Sequence, residues 1–280
     1  MRVERVRSGE FWLSVRLAIS ALGSRRLLAP FFIYGAVQLG MLVWLCSFHV
    51  RELSPAAEPF VRLLGSEAAT HYPHFYAALP AVLERAFLML HVLVGTALMG
   101  AATAMFWRNF GHGSCSLVEA ISVAGRRYLP LVGVALVIDL VAVTLSTFAY
   151  RLTSGEGGGL LAAPFVGRGL ALFSALVVQT LGAYGVASVI ISDTGFLGAI
   201  RRTLKVAGRN FAVTFVVIAI AFLPHVPLRY LASKSLVIVE NLKPELVAWL
   251  MGLDVFIAVV TGFFVVATVT RLYLFAVGEE

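Results

Sequence analysis

Two carboxylates stand inside long apolar runs of this sequence, Asp139 in VALVIDLVAV and Asp254 in LMGLDVFIAV. An ionised side chain at the centre of a bilayer costs about 2.5 kcal/mol or more, so an acid in such a run has a reason to be there. Counted along a helix from the outer ends of their segments, Asp139 lies at roughly 17 Å and Asp254 at roughly 13 Å, which places them in one layer. No Lys or Arg falls within the core of any apolar run, and the polar residues at matching depth are His91 and Gln179. Two readings follow. In one, Asp139, Asp254, His91 and Gln179 form a proton or cation relay. In the other, each aspartate hydrogen-bonds a hydroxyl or amide of a neighbouring helix and specifies packing.

Histidines gather toward the outer side, with His49, His71, His74 and His225 all assigned there. The HYPH run sets His71 and His74 three apart, a helical spacing that can face one metal ion. Pro73 between them argues for a turn, and no Cys or HExxH context accompanies them, so no metal site is expected. His71, Tyr72, His74, Phe75 and Tyr76 read better as an aromatic belt at the level of the lipid headgroups. Glu84 and Arg85, near Arg51 and Glu52, read as surface electrostatics. The Gly-rich SGEGGG at 154–159 lacks the Lys and Ser/Thr of a phosphate loop and reads as a connection. Neither a catalytic triad nor a nucleotide or cofactor fingerprint is present, and no cofactor is expected.

The third chemical feature is basic. In FLGAIRRTLKVAGRN, Arg201, Lys205 and Arg209 recur every fourth residue and Arg202 stands beside them, while Leu197, Ile200, Leu204 and Ala207 share another face. Such a helix lies in the headgroup plane and draws anionic lipid or an acidic partner, at about 1 kcal/mol per basic residue near a charged leaflet.

These residues need elements to hold them. The chain has 280 residues, 60% hydrophobic and 13% charged, with a mean hydropathy of +0.91. That composition excludes a soluble globular protein, in which about a quarter of the residues are charged. The net charge of +7 points to basic cytoplasmic loops and not to nucleic acid. Six apolar runs approach the roughly 20 residues that a helix needs to cross a bilayer: 27–49, 86–107, 128–150, 169–191, 211–230 and 246–270. The fifth is interrupted by Pro224, His225, Pro227 and Arg229. Only helices can span in this way, because a lone strand leaves backbone groups unpaired in lipid. The sequence therefore predicts an all-α, polytopic membrane bundle over 1–280, a single integral domain of six transmembrane helices with cytoplasmic interfacial amphipathic helices.

Most of the 22 basic residues fall on one side of these spans: Arg2, Arg5, Arg7, Arg16, Arg25 and Arg26, then Arg108, Arg126 and Arg127, then Arg201, Arg202, Lys205 and Arg209, then Arg271. The bias puts both termini in the cytoplasm, with no cleaved secretory signal. It also places Cys46 and Cys115 on opposite sides, so no disulfide is expected between them. Small residues in the second and fourth spans (Gly95, Gly100, Ala104; Gly182, Gly185, Ala187) favour close helix contact, inside the chain or between subunits.

Three stretches resemble one another: LAISALGSRRLLAP at 17–30, EAISVAGRRYLP at 119–130 and GAIRRTLKVAGRNFAV at 198–213. Each reads as a short amphipathic helix, a Gly, basic residues and then a span, the third copy with one extra turn. The run AIRRTLKVAGRNFAVTFVVIAIAF at 199–222 resembles the segment before the fifth span in six-span bacterial membrane proteins, many without an assigned function. These include the membrane domain attached to some glycerophosphodiester phosphodiesterases. The resemblance covers most of the chain in outline and 199–222 in detail. The chain carries no phosphodiesterase domain, so that activity is not implied.

The reading that results is a non-enzymatic accessory or scaffold protein of the bacterial inner membrane, binding anionic lipid at the cytoplasmic face, a partner protein or a second copy of itself. The alternative is a small secondary transporter or lipid translocator using the Asp139 and Asp254 layer, which a water-accessible cavity between the third and sixth spans would support. An enzyme working at the outer histidines is a third reading.

Overall fold

A computed structural model describes residues 6, 8–47, 54–64, 72–111, 113–153 and 164–278. The regular structure there is helical: α1 (Ser8–Ala21), α2 (Arg25–Cys46), α3 (Ser54–Leu64), α4 (His74–Leu90), α5 (Thr96–Phe110), α6 (Leu117–Arg126), α7 (Tyr128–Thr153), α8 (Pro164–Gly182), α9 (Gly185–Ile190), α10 (Phe196–Arg209), α11 (Phe211–Phe222), α12 (His225–Ala232), α13 (Ser235–Asn241) and α14 (Leu246–Val277). A π turn, His91–Gly95, joins α4 to α5.

Five segments are long and apolar enough to cross a membrane: Arg25–Cys46, His74–Phe110, Tyr128–Leu152, Gly169–Ile190 and Leu246–Val277. A sixth is counted if α10 and α11, bent by 94°, are taken together. Large apolar side chains on these helices are exposed, among them Leu136, Leu140 and Phe148 on α7 and Trp249, Leu253 and Phe256 on α14. Apolar stripes this continuous are stable when lipid is the solvent. The chain is a polytopic membrane protein.

Two segments differ from the apolar runs read in the sequence. The second is 37 residues long, His74–Phe110, and not 86–107. Glu84 and Arg85, which marked its start by charge, are exposed on a helix that continues about three turns further back. The fifth, read as 211–230, is broken. Its first helix, α11, has 12 residues. That is about 18 Å of rise, short of a hydrocarbon core of about 30 Å. It stops at Phe222 because Pro224 follows and the residue before a proline is pushed out of the helical region.

The chain divides into two compact units: 1–28, 96–221 and 264–280 in the first, 29–95 and 222–263 in the second. In the first unit, α7 packs against α8 and α9 through small residues. A Cβ on Gly182 would meet Ile138 at 2.8 Å and one on Gly185 would meet Val134 at 2.6 Å. Gly100 brings α5 against Leu131 at 2.9 Å in the same way. The close contacts of these glycines are thus internal to the chain. In the second unit, Leu42, Leu45, Val61, Phe75, Leu79, Leu83, Val239 and Val247 from α2, α3, α4, α13 and α14 share one core. Ser235 on α13 donates to the Ala77 carbonyl of α4 at 2.7 Å. Phe31 meets Phe263 edge to face at 5.4 Å, and Gly35 seats α2 against Val259 of α14.

The second and third copies of the repeated sequence unit share a corner, whereas the first copy joins α1 to α2 through 22–24. Arg127, between α6 and α7, has φ −116° and ψ 20°, and Asn210, between α10 and α11, has φ −116° and ψ 24°. Each corner side chain makes bonds that hold it. Arg127 donates through Nη1 to the carbonyls of Val189 and Ile190 at 2.7 and 2.8 Å, satisfying the last turn of α9. Asn210 accepts from the Val6 amide through Oδ1 at 2.8 Å and donates to Val206. The third copy's extra turn is also present, with 14 residues in α10 against 10 in α6.

Candidate functional site

The four residues expected to form one polar layer fall in both units, Asp139 and Gln179 in the first, His91 and Asp254 in the second. Neither pair is joined by a hydrogen bond. Asp139 is half-buried on α7, and Gln179 is exposed on α8. His91 opens the π turn, 6.3 Å from the ring of Tyr34, where a Cβ on Gly95 would meet its Nδ1 at 2.9 Å. The wide π turn and the absent side chain at Gly95 make room for the imidazole.

Asp254 has a partner that the sequence reading placed elsewhere. Its Oδ1 lies 2.6 Å from Nδ1 of His225, the first residue of α12, and Nε2 of that ring lies 3.1 Å from Oγ1 of Thr261. Asp254 and Thr261 are two helical turns apart, on one face of α14. The chain break at Leu223 and Pro224 starts α12 at His225 and brings the imidazole against that face. Both side chains are shielded, His225 at 13% and Asp254 at 28% exposure. His225 was assigned to the outer histidine group with His49 and His71, which lie outside the described residues, and with His74, which begins α4. The usable signal was a histidine beside two prolines in an otherwise apolar segment. Discontinuous membrane helices build binding positions at their breaks in transporters.

The basic residues Arg201, Arg202, Lys205 and Arg209 lie on α10, and beside the apolar face read from sequence stands a second, buried face of small residues that includes Ala207. Ala199, Thr203, Val206 and Ala207 are buried, whereas Leu197 is 71% and Leu204 51% exposed. At about 100° per residue three faces follow in order around the helix. The buried small residues come first, then Ile200, Leu204 and Leu197, then Arg201, Lys205 and Arg209. Thr203 anchors the first face through its hydroxyl, 2.8 Å from Ser188 of α9.

The same order appears in α6, with Ala120 and Ala124 buried, Val118 and Ile121 exposed, and Glu119, Ser122 and Arg126 on the third side. A capping box starts that helix. Ser116 Oγ accepts from the Glu119 amide at 3.3 Å, and the Ser116 amide donates to Glu119 Oε2 at 3.0 Å. That backbone bond, with the Ser116 hydroxyl, holds the Glu119 carboxyl below its ordinary value.

A cavity of about 420 Å³ opens where α1, α2, α5 and α14 end in the first unit. It is lined by Ser20, Ser24, Asn109 and Arg271 with Leu17, Leu27 and Phe110. The Arg271 guanidinium sits between two rings, 5.5 Å from Phe110 and 4.6 Å from Phe275. Among the described residues no group of three or more His, Cys, Asp and Glu is placed to hold a metal ion, and Cys46 and Cys115 are free thiols.

No protein-family profile, curated protein or solved structure matches the chain.

Proposed function

We propose that the protein is a non-enzymatic accessory protein of the bacterial inner membrane that engages anionic lipid at its basic face. The observation that carries this reading is the three-sided build of α10. One side rests on the bundle, the next presents leucines, and the third presents Arg201, Lys205 and Arg209. A helix lying along the edge of a bundle at the membrane surface meets protein, hydrocarbon and headgroups in that order, and each side of α10 suits one of them. The 94° bend into α11 supports the same placement, since a helix in the surface plane must turn through about a right angle to enter the bilayer. The cavity beneath Arg271 adds polar donors beside an apolar wall, the combination that a phospholipid headgroup and its glycerol end require.

The lipid composition retained by the purified protein tests it. At about 1 kcal/mol per basic residue near an anionic leaflet, replacing Arg201, Lys205 and Arg209 together by Gln weakens the preference for phosphatidylglycerol over phosphatidylcholine by on the order of 100-fold. Mass spectrometry of lipids retained from mixed nanodiscs reads this ratio. An unchanged ratio in the triple variant removes the proposal.

One observation favours a second reading, a small secondary transporter or lipid translocator. The fifth segment is discontinuous, and its break carries a histidine bonded to an acid on α14. Discontinuous helices of this kind build substrate and ion sites in transporters. On this reading the working acid is Asp254 with His225, without Asp139. Flux of a labelled solute or lipid in proteoliposomes, lost in Asp254→Asn, is the test.

A further inference from the structure

We propose that His225, Asp254 and Thr261 form a site that binds and releases a single proton. The inference comes from counting hydrogens. Thr261 Oγ1 lies 2.9 Å from the carbonyl of Ile257, one turn back on α14, so its hydrogen is committed there. The hydroxyl oxygen can then only accept from the ring, which makes Nε2 of His225 an N–H donor across 3.1 Å. At the other nitrogen, Nδ1 faces Asp254 Oδ1 at 2.6 Å, and a hydrogen must lie between them. With both ring positions so occupied, imidazole and carboxyl together hold two protons. The pair is neutral overall, whether the inner proton sits on nitrogen or on oxygen.

The wiring has a second complete state. If Thr261 rotates its hydroxyl hydrogen from the Ile257 carbonyl to Nε2, the ring gives up its Nε2 proton to water or a passing base and keeps Nδ1–H as a donor to an ionised Asp254. Every ring nitrogen remains bonded, and one proton has left. The site then carries a charge of −1, which apolar surroundings resist. One rotor therefore separates a loaded, neutral site from an empty, anionic one.

The surroundings leave this exchange to the three residues themselves. His225 and Asp254 have no other polar partner among the described residues; the ring of Phe222 lies 6.1 Å from the imidazole. On α12 the ionisable neighbours are Tyr230 and Arg229, whose guanidinium sits over Phe222 at 5.1 Å. On α14 no other ionisable group occurs between Leu246 and Arg271. On the other elements of the unit the ionisable groups are Tyr34 and Cys46 on α2, Glu58 and Arg62 on α3, His74, Tyr76, Glu84 and Arg85 on α4, His91 in the π turn, and Glu240 on α13. The site stands whether or not the chain moves a solute and does not depend on lipid binding at α10.

Nuclear magnetic resonance of the full chain in nanodiscs tests it, with ¹⁵N in the histidine rings and ¹³C in the aspartate carboxyls. The sequence helps, with six histidines and three aspartates, Asp139, Asp193 and Asp254. His225→Asn and Asp254→Asn assign the signals by their loss. The expected result is one titration step in which His225 Nε2 loses its proton, Nδ1 keeps one, and the Asp254 carboxyl changes at the same midpoint, as a coupled pair does. Asp139→Asn leaves that step in place, Thr261→Ser retains it and Thr261→Val displaces its midpoint. Separate midpoints for the two groups, or one tautomer unchanged while the other histidines titrate, overturn the proposal. The wild-type titration decides the matter even if a variant fails to fold.

Discussion

The two units satisfy their buried polar groups in different ways. In the first unit hydroxyls, amides and carbonyls hold the helices together: Ser188 with Thr203, Tyr184 with Thr214 at 2.7 Å, Ser192 with Tyr273 at 2.6 Å, and Arg127 with the end of α9, its other nitrogen meeting the exposed Asp193 carboxylate at 2.8 Å. None of these hydroxyl pairs changes charge in the ordinary pH range, so they only fix helix positions. In the second unit the cluster on α12 and α14 contains an imidazole and a carboxyl, each of which exists in two states. Thr261 belongs to the same chemical class as Thr203, yet beside a ring nitrogen it becomes a selector between them. A hydroxyl in a membrane bundle is a fastener or a relay according to whether its partner can titrate.

The largest expected effect breaks the contrast on the titratable side. His225→Leu leaves Asp254 without its partner in an apolar setting, and thermal unfolding in detergent should show a loss of about 3 kcal/mol. Adding Asp254→Leu should recover most of it, because an apolar pair replaces an ionic one at little net cost. On the fastener side, Arg127→Met removes a charged donor from two carbonyls at the end of α9 and from the exposed Asp193 carboxylate, 2.8 Å from its other nitrogen, and should cost about 2 kcal/mol by the same measurement. Thr203→Val, which unhooks α10 from Ser188, should cost about 1 kcal/mol or less. If it also changes the lipid ratio read for the α10 variant, the helix needs its anchor in order to present its charges.

The smallest effect is a control outside the spans. The Glu119 carboxyl is held below its ordinary value of 4.5 by the Ser116 backbone amide. The capping bond therefore contributes fully above that value and is lost as pH falls through the lower value of the folded state. Hydrogen exchange at the first turn of α6 should speed up over that acid interval in the wild type. It should stay level in Glu119→Gln, and the His225 step should be unaffected.

The membrane class and the places of five spans were legible because length and apolarity are direct requirements of the bilayer. The weakness of the fifth segment was legible too, from Pro224 and Pro227. What was not legible followed from the inversion of ordinary patterning. In α10 the sequence marks Leu197, Ile200 and Leu204 as the apolar side, but the side toward the protein is a separate one made of alanines, threonine and valine. Helices in lipid gain little by burying large apolar groups against one another and pack through small ones. The pairing of His225 with Asp254, 29 residues apart, was hidden because the break was read as a loss of span and not as the start of a new helix. Charge marked the ends of spans well in loops and poorly within long helices, as Glu84 and Arg85 show.

The length of α14 has a further consequence. Its 32 residues rise about 48 Å, some 18 Å more than a typical hydrocarbon core. The surplus is not loose, because Leu272, Tyr273, Leu274 and Ala276 near its end are buried within the first unit and Tyr273 is tied to Ser192. A helix rooted in protein at that end cannot ride up or down to suit a thicker or thinner leaflet. Around this chain it is the bilayer that must deform, so host lipids of different tail length should register as strain in the surrounding membrane before they register in the fold.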